Sequence, residues 1–148
     1  MTAALQSPLL RTIRIDMAFH DPTDKNMLRM EGRRFAGRCE AQISSIERAD
    51  TLREVSRLAS SITLPYSISA EYTARDALRL VQTRAEDRAR ELIQEQIQNF
   101  ARAEENQRDK QKRAMLETWS NLTGPLGHIR VWAQSKLLAA ERQGSPAP

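Results

Sequence analysis

The chain has 148 residues, of which 40% are apolar, 28% charged and only 5% aromatic, and its formal net charge is +4. Five Gly and six Pro are too few for collagen-like or Pro/Gly-rich disordered chains, and the low aromatic content argues against β-sandwiches and barrels. We therefore expect one mostly α-helical domain over residues 1–148, which is large enough to bury a core without disulfides or metal ions.

The first predicted element is an extended segment over residues 9–19. Apolar side chains alternate there with polar ones, and a period of two is typical of a half-buried strand. The apolar side of this segment consists of Ile13, Ile15, Met17 and Phe19.

A long amphipathic helix is predicted over residues 22–60. Asp21 and Pro22 favour a helix start, because a carboxylate accepts hydrogen bonds from free backbone N–H groups and proline suits the first helical position. The apolar residues that follow share one narrow face at 100° per residue: Leu28, Phe35, Cys39, Ile43 and Ile46. Beyond Asp50 the apolar face rotates, so either the helix bends there or its packing partner changes.

A second extended segment is predicted over residues 62–69. Ile62, Leu64 and Tyr66 are in phase, and Pro65 restricts the segment to an edge strand or an extended linker. The two extended segments are expected to pair with each other as a small two-stranded β ribbon, or each with a second copy of the chain. An unpaired strand would leave its backbone polar groups unsatisfied.

A second long helix is predicted over residues 74–122. Thr73 and Asp76 match a helix-capping pattern, and no residue between 102 and 113 breaks a helix, although the apolar stripe fades there. We expect that polar stretch to be solvated or to contact a polar partner. The side chains predicted to contact a partner helix are Leu78, Val81, Ala85, Ala89, Leu92, Phe100 and Trp119, together with Trp132 further along the chain.

A short C-terminal helix is predicted over residues 125–142, because Thr123, Gly124 and Pro125 end the preceding helix. The predicted fold class is mostly α. Two long amphipathic helices form an antiparallel hairpin of the coiled-coil or bundle type, and the short C-terminal helix buttresses it.

The excess of positive charge lies at the C-terminal end of the sequence. Residues 1–105 carry 16 basic and 16 acidic side chains, whereas residues 106–148 carry 7 basic and 3 acidic ones. Basic residues near Trp119 and Trp132 could hold nucleic-acid phosphates or an acidic partner, although both Trp residues have the spacing of a helical core. The candidate basic residues are Arg108, Lys110, Lys112, Arg113, Arg130 and Lys136.

No motif for a cofactor, a metal ion or covalent catalysis is present in the sequence. Phosphate-binding glycine loops are absent, and His20, Cys39 and His128 are too far apart for a known metal-binding spacing. Cys39 lies on the apolar stripe, where a buried thiol is the expected state. A lone cysteine, with no secretory signal and no run of 18 apolar residues, predicts a cytoplasmic protein without a membrane span.

The sequence therefore predicts a non-enzymatic interaction or assembly protein, with no catalytic residue and no cofactor. Its partner is another protein or a second copy of the chain, because long apolar stripes need a long partner helix, and we expect a homo-oligomer. The alternative is a nucleic-acid-binding accessory protein that uses the basic C-terminal third. A third interpretation, an enzyme with a helical active site, requires a large polar pocket.

Overall fold

The computed structural model describes the backbone of residues 22–144 and the side chains of residues 25–143. It confirms a mostly helical chain. The α-helices are α1 (Pro22–Arg48), α2 (Leu52–Ser60), α3 (Tyr72–Arg102), α4 (Glu105–Trp119) and α5 (Ile129–Gly144), with short 3₁₀ helices at Tyr66–Ile68 and Gly124–Leu126. Between residues 22 and 144 there is no strand. The predicted extended segment 9–19 lies outside the described residues.

The predicted helix over residues 22–60 is two helices. It begins at Pro22 as predicted, but α1 ends at Arg48. Thr51 caps α2, because its hydroxyl accepts a hydrogen bond from the backbone N–H of Glu54 at 3.1 Å. The carbonyl oxygen of Ala49 accepts two hydrogen bonds from the Arg88 guanidinium, at 3.0 and 2.8 Å. A local cap and a contact from α3 therefore hold the chain in a turn where we predicted a continuous helix.

Residues 62–69 form no strand, so the edge-strand alternative for this extended segment is wrong and the β ribbon has no second strand in this region. The backbone N–H of Ile68 bonds the carbonyl of Pro65 at 3.2 Å, which closes a local 3₁₀ turn in place of a strand pair. Ile68 is buried, but the Tyr66 side chain is 94% exposed. This segment satisfies its backbone groups locally.

The predicted antiparallel hairpin is also wrong, because α1 and α3 pack side by side and run parallel. Gly32 lies against Glu71 near the start of α3. Further along, Glu47 forms an ion pair with Arg84 at 3.3 Å, and Ala49 contacts Arg88. Residue numbers rise together on both helices, which defines a parallel pair. The physical reason is that α2 and residues 61–71 carry the chain back along α1, as the hydrogen bonds of Gln42 to Leu58 and Ser61 show.

The same arrangement occurs in the second half of the chain. The predicted helix 74–122 is interrupted at Ala103 and Glu104, and α4 returns the chain. Then α5 runs parallel to α3. His128, just before α5, lies 3.4 Å from Glu86 in the first half of α3, whereas Ala140 near the end of α5 lines the same pocket as Phe100 near the end of α3. A helix is present where a short C-terminal helix was predicted over 125–142, but it begins later: the 3₁₀ turn Gly124–Leu126 comes first, and α5 starts at Ile129.

The core lies around α3, which contacts all four of the other described α-helices. Val81, Ala85 and Ala89 have no exposed surface. Small alanine side chains at the centre of the stripe let neighbouring backbones approach closely, and larger residues fill the rest of the core. The largest of these fully buried residues are Trp119, Phe35, Ile46, Leu52 and Ile93.

The first prediction concerns the contact between Gly32 and the N-cap of α3, which is Glu71 and not the predicted Thr73. The Glu71 carboxylate accepts a hydrogen bond from the N–H of Ala74 at 2.8 Å, and a Cβ on Gly32 would overlap that carboxylate. Gly32→Ala should therefore displace the cap, at a cost of about 1 kcal/mol or more. That cost offsets the roughly 0.5–1 kcal/mol that alanine gains over glycine within a helix.

Gly37 is the matched control, because a Cβ there meets no atom within 4 Å. In urea unfolding, Gly37→Ala should raise the free energy of unfolding above that of the wild type by about 0.5–1 kcal/mol. The free energy of unfolding of Gly32→Ala should be at least about 1 kcal/mol below that of Gly37→Ala. In a Glu71→Ala background the difference between the two glycine sites should shrink. Equal stability of the two alanine variants in the wild-type background would contradict this account of Gly32.

Candidate interaction surfaces

The structure does not bring the six predicted basic residues together into one patch. Arg108 points back toward the end of α3, where it donates hydrogen bonds to the carbonyls of Ala101 and Ala103, each at 3.3 Å. Its guanidinium also lies 5.8 Å from the centre of the Phe100 ring. Arg108 therefore satisfies carbonyl groups that the end of α3 leaves without helical partners.

Two other basic candidates are also engaged within the chain. Lys112 forms an ion pair with Glu141 of α5 at 2.9 Å. Arg130 donates a hydrogen bond to the carbonyl of Leu122 at 2.7 Å, just after the end of α4. Lys112 and Glu141 are 29 residues apart in sequence, so counting charges along the chain could not have revealed their contact.

The remaining basic candidates are exposed. Lys110 and Arg113 line one shallow depression on α4 together with Glu117. Lys136 lies on α5, with its ammonium group 5.9 Å from the Trp132 ring. The outward basic surface of α4 is thus reduced to two residues beside one carboxylate.

The face predicted to contact a partner helix is occupied by this chain's own helices. Leu78 and Trp132 are partly buried, and the other members are buried: Val81, Ala85, Ala89, Leu92, Phe100 and Trp119. The Trp119 indole N–H donates to the side-chain oxygen of Gln96 at 2.8 Å, which satisfies its polar atom inside the core. The stripe therefore forms the core of the fold.

An exposed apolar surface that the sequence did not predict lies at the start of α1. All residues from 25 to 31, here called the α1 overhang, are exposed, and they precede Gly32, the point at which α3 begins to cover α1. Met27, Leu28 and Met30 are 57%, 42% and 50% exposed. Leu28 has the helical phase of the buried Phe35 two turns later, so the core-facing stripe continues past the end of its covering helix.

The titratable groups with shifted pKa values do not form a reactive cluster. Burial raises the pKa of the Cys39 thiol, and the nearby Arg38 only partly opposes this effect. A hydrogen bond from Arg57 lowers the pKa of the exposed Glu54 carboxyl group. No group of three or more His, Cys, Asp or Glu residues converges as a metal site within the described part of the chain.

The largest depression described has a volume of about 550 Å³ and lies between α1 and the segment that follows α2. Its lining includes Phe35, Arg38 and Gln42, and the Gln42 amide is already bonded to Leu58 and Ser61 at 2.7 Å each. This depression contains no carboxylate, histidine or thiol, so it does not assemble an acid–base pair.

None of the described helices combines the length and apolar character that crossing a bilayer requires.

The second prediction concerns the reactivity of Cys39, whose side chain is 1% exposed. Because burial both shields the thiol and disfavours the thiolate, a water-soluble aromatic disulfide should react with it at least about a hundredfold more slowly in the folded chain than in denaturant. The folded-state rate should still rise at a pH where the rate of the unfolded chain has levelled off, because burial raises the pKa of the folded thiol. Equal rates in the folded and unfolded chain would show that Cys39 is accessible.

Comparison of the chain with protein-family models, with curated proteins and with solved structures finds no match. A functional proposal must therefore rest on the surfaces and contacts of the described residues.

Proposed function

We propose that this protein is a non-enzymatic interaction and assembly protein of the cytoplasm that associates with copies of itself. The observation that supports this proposal is the α1 overhang, in which seven consecutive helical residues are exposed. A helix that keeps apolar side chains in water gains free energy when a protein surface covers them.

The side chains of the overhang are suited to a protein contact. Leu28 continues the core-facing stripe of α1, so a helix packed there would extend the existing core. Met27 and Met30 add flexible, polarisable surface, which adapts to irregular contacts. Lys25 and Glu31 flank Leu28 by one turn on either side, and both signs of charge therefore border the apolar centre.

The third prediction tests self-association through the overhang. Sedimentation equilibrium of the full chain from about 1 to 100 μM should show an oligomer whose fraction grows with concentration. A triple variant with Met27, Leu28 and Met30 changed to Gln should shift this equilibrium toward the monomer, because it removes the apolar surface that association would bury.

The matched control is a Val131→Gln, Leu138→Gln variant, since these α5 side chains are 71% and 53% exposed and lie away from the overhang. It should associate like the wild type. A wild-type chain that stays monomeric over the whole range would overturn self-association. An oligomer lost in the control but kept in the triple variant would place the interface on α5 and contradict the role of the overhang.

The alternative function is nucleic-acid binding, and the exposed pair Lys110 and Arg113 is the observation that favours it. It has less support, because Arg108, Lys112 and Arg130 are already bonded within the chain. Two phosphate contacts also give only a shallow dependence of affinity on salt.

The fourth prediction tests this alternative by fluorescence anisotropy with labelled single- and double-stranded DNA and RNA. If nucleic acid is the ligand, binding at about 50 mM salt should weaken in a Lys110→Gln, Arg113→Gln variant and at higher salt. An Arg29→Gln, Arg33→Gln variant loses the same charge from α1 and should bind like the wild type. Absence of binding at about 50 mM salt, or equal weakening in both variants, counts against a nucleic-acid site on α4.

A further inference from the structure

The junction between α3 and α4 differs from the turns before α2 and after α4. It consists of Ala103 and Glu104, whose ψ angles are both 150°. Alanine is the strongest helix former and glutamate is a good one, so neither residue favours an extended backbone. Glu104 stands at the N-cap of α4 without a side-chain hydrogen bond to the helix. Nothing in the local sequence therefore requires the helix to stop here.

Those two turns are encoded locally. The turn before α2 has a Thr51 cap, and the turn after α4 contains Gly124 at φ +55° followed by Pro125. A positive φ favours glycine, and proline fixes the next residue for a new helical turn. The Ala103–Glu104 junction instead depends on contacts that α4 and α5 make with the rest of the fold.

Most of the contacts that α4 and α5 make with the rest of the fold do not involve Ala103 or Glu104. Met115 and Trp119 of α4 and Ile129, Ala133 and Leu137 of α5 are buried in the common core. Because α4 packs on α2 and α3, and α5 packs on α3, a second copy of the chain could supply identical contacts. The hydrogen bonds from Arg108 to Ala101 and Ala103 are the exception, since those carbonyls are free only when the helix is interrupted.

We infer that α4 and α5 exchange between two copies of this chain. In the exchanged dimer, Ala103 and Glu104 become helical, α3 and α4 fuse over residues 72–119, and α5 packs on the partner's α3. The fused helix would be about 72 Å long at 1.5 Å per residue. Its own hydrogen bonds would satisfy the carbonyl groups that Arg108 bonds in the closed chain, while the core contacts are kept across the two copies.

This inference rests on the proposed self-association with a second copy of the chain, and it adds a contact between the copies to the one proposed at the α1 overhang. Two effects oppose each other. The uninterrupted helix regains backbone hydrogen bonds at the junction, whereas association of two chains loses translational and rotational freedom. The exchanged dimer is therefore favoured by concentration, and slow exchange is expected because α4 and α5 must leave the core before they can pack on the partner.

The fifth prediction uses Glu105→Pro in the full chain. Residue 105 is the first helical position of α4, where proline is well tolerated, and a following proline favours the extended backbone that Glu104 already has. In a fused helix the same proline would lie in the interior, where it removes a hydrogen bond and clashes with the preceding turn. Glu105→Pro should fold like the control Glu105→Ala but dimerise about a hundredfold more weakly or worse.

A second variant acts in the opposite direction. Arg108→Gln removes hydrogen bonds that only the closed chain makes, so the dimer fraction at a given concentration should rise above that of the wild type. The measurements are sedimentation equilibrium for the dimer constant, circular dichroism for folding, and small-angle scattering for the elongated shape of the dimer.

The outcomes separate this inference from the proposed function. A dimer that persists in Glu105→Pro but is lost in the overhang triple variant would overturn the exchange and leave self-association standing. A chain that is monomeric in the wild type and in Arg108→Gln would overturn both. Loss of helical structure in Glu105→Pro, with Glu105→Ala folded, would show that the closed chain does not hold residue 105 at a helix start, and this would also overturn the exchange.

Discussion

The parallel packing of α3 against both α1 and α5 is the constraint on which the rest of the fold depends. Two parallel helices of one chain can be neighbours only if the chain between them travels back over their length. Here residues 49–71 make the first return and residues 103–128 make the second. Both long helices predicted from the sequence must therefore be interrupted, and α2 and α4 are the helical parts of the two returns.

Local signals in the sequence predict the helical faces well. The 3.6-residue period identified Val81, Ala85 and Ala89 as one stripe, and all three are fully buried, because burial of a helical face repeats with the turn of the helix. The same period carries no information about the direction in which a neighbouring helix runs, so the antiparallel hairpin did not follow from it. Thr51 and Glu54 do match a capping pattern and could have revealed the first interruption.

The candidate surfaces depend on contacts between different helices. The sequence therefore predicted these surfaces less accurately than it predicted the buried helical faces. The net charge of the C-terminal third was located correctly, yet Lys112 is paired with Glu141 of another helix. Leu28 has the pattern of a core residue and is 42% exposed because α3 begins to cover α1 only at Gly32. Periodicity identifies an apolar face, but only the fold determines whether something covers it.

No residue near Ala103 and Glu104 favours the end of a helix, so the prediction of a continuous helix failed there. The same junction is where we infer that two copies of the chain exchange α4 and α5. A sequence whose local preferences agree with its fold at every position leaves few competing structures of similar free energy. Here the local preference for a continuous helix opposes the closed fold, and tertiary contacts such as those of Arg108 overcome it. In the exchange that we infer, the contacts of α4 and α5 are made between chains, and this junction becomes helical. The same local preference that made a continuous helix the reasonable prediction would then stabilise the exchanged dimer.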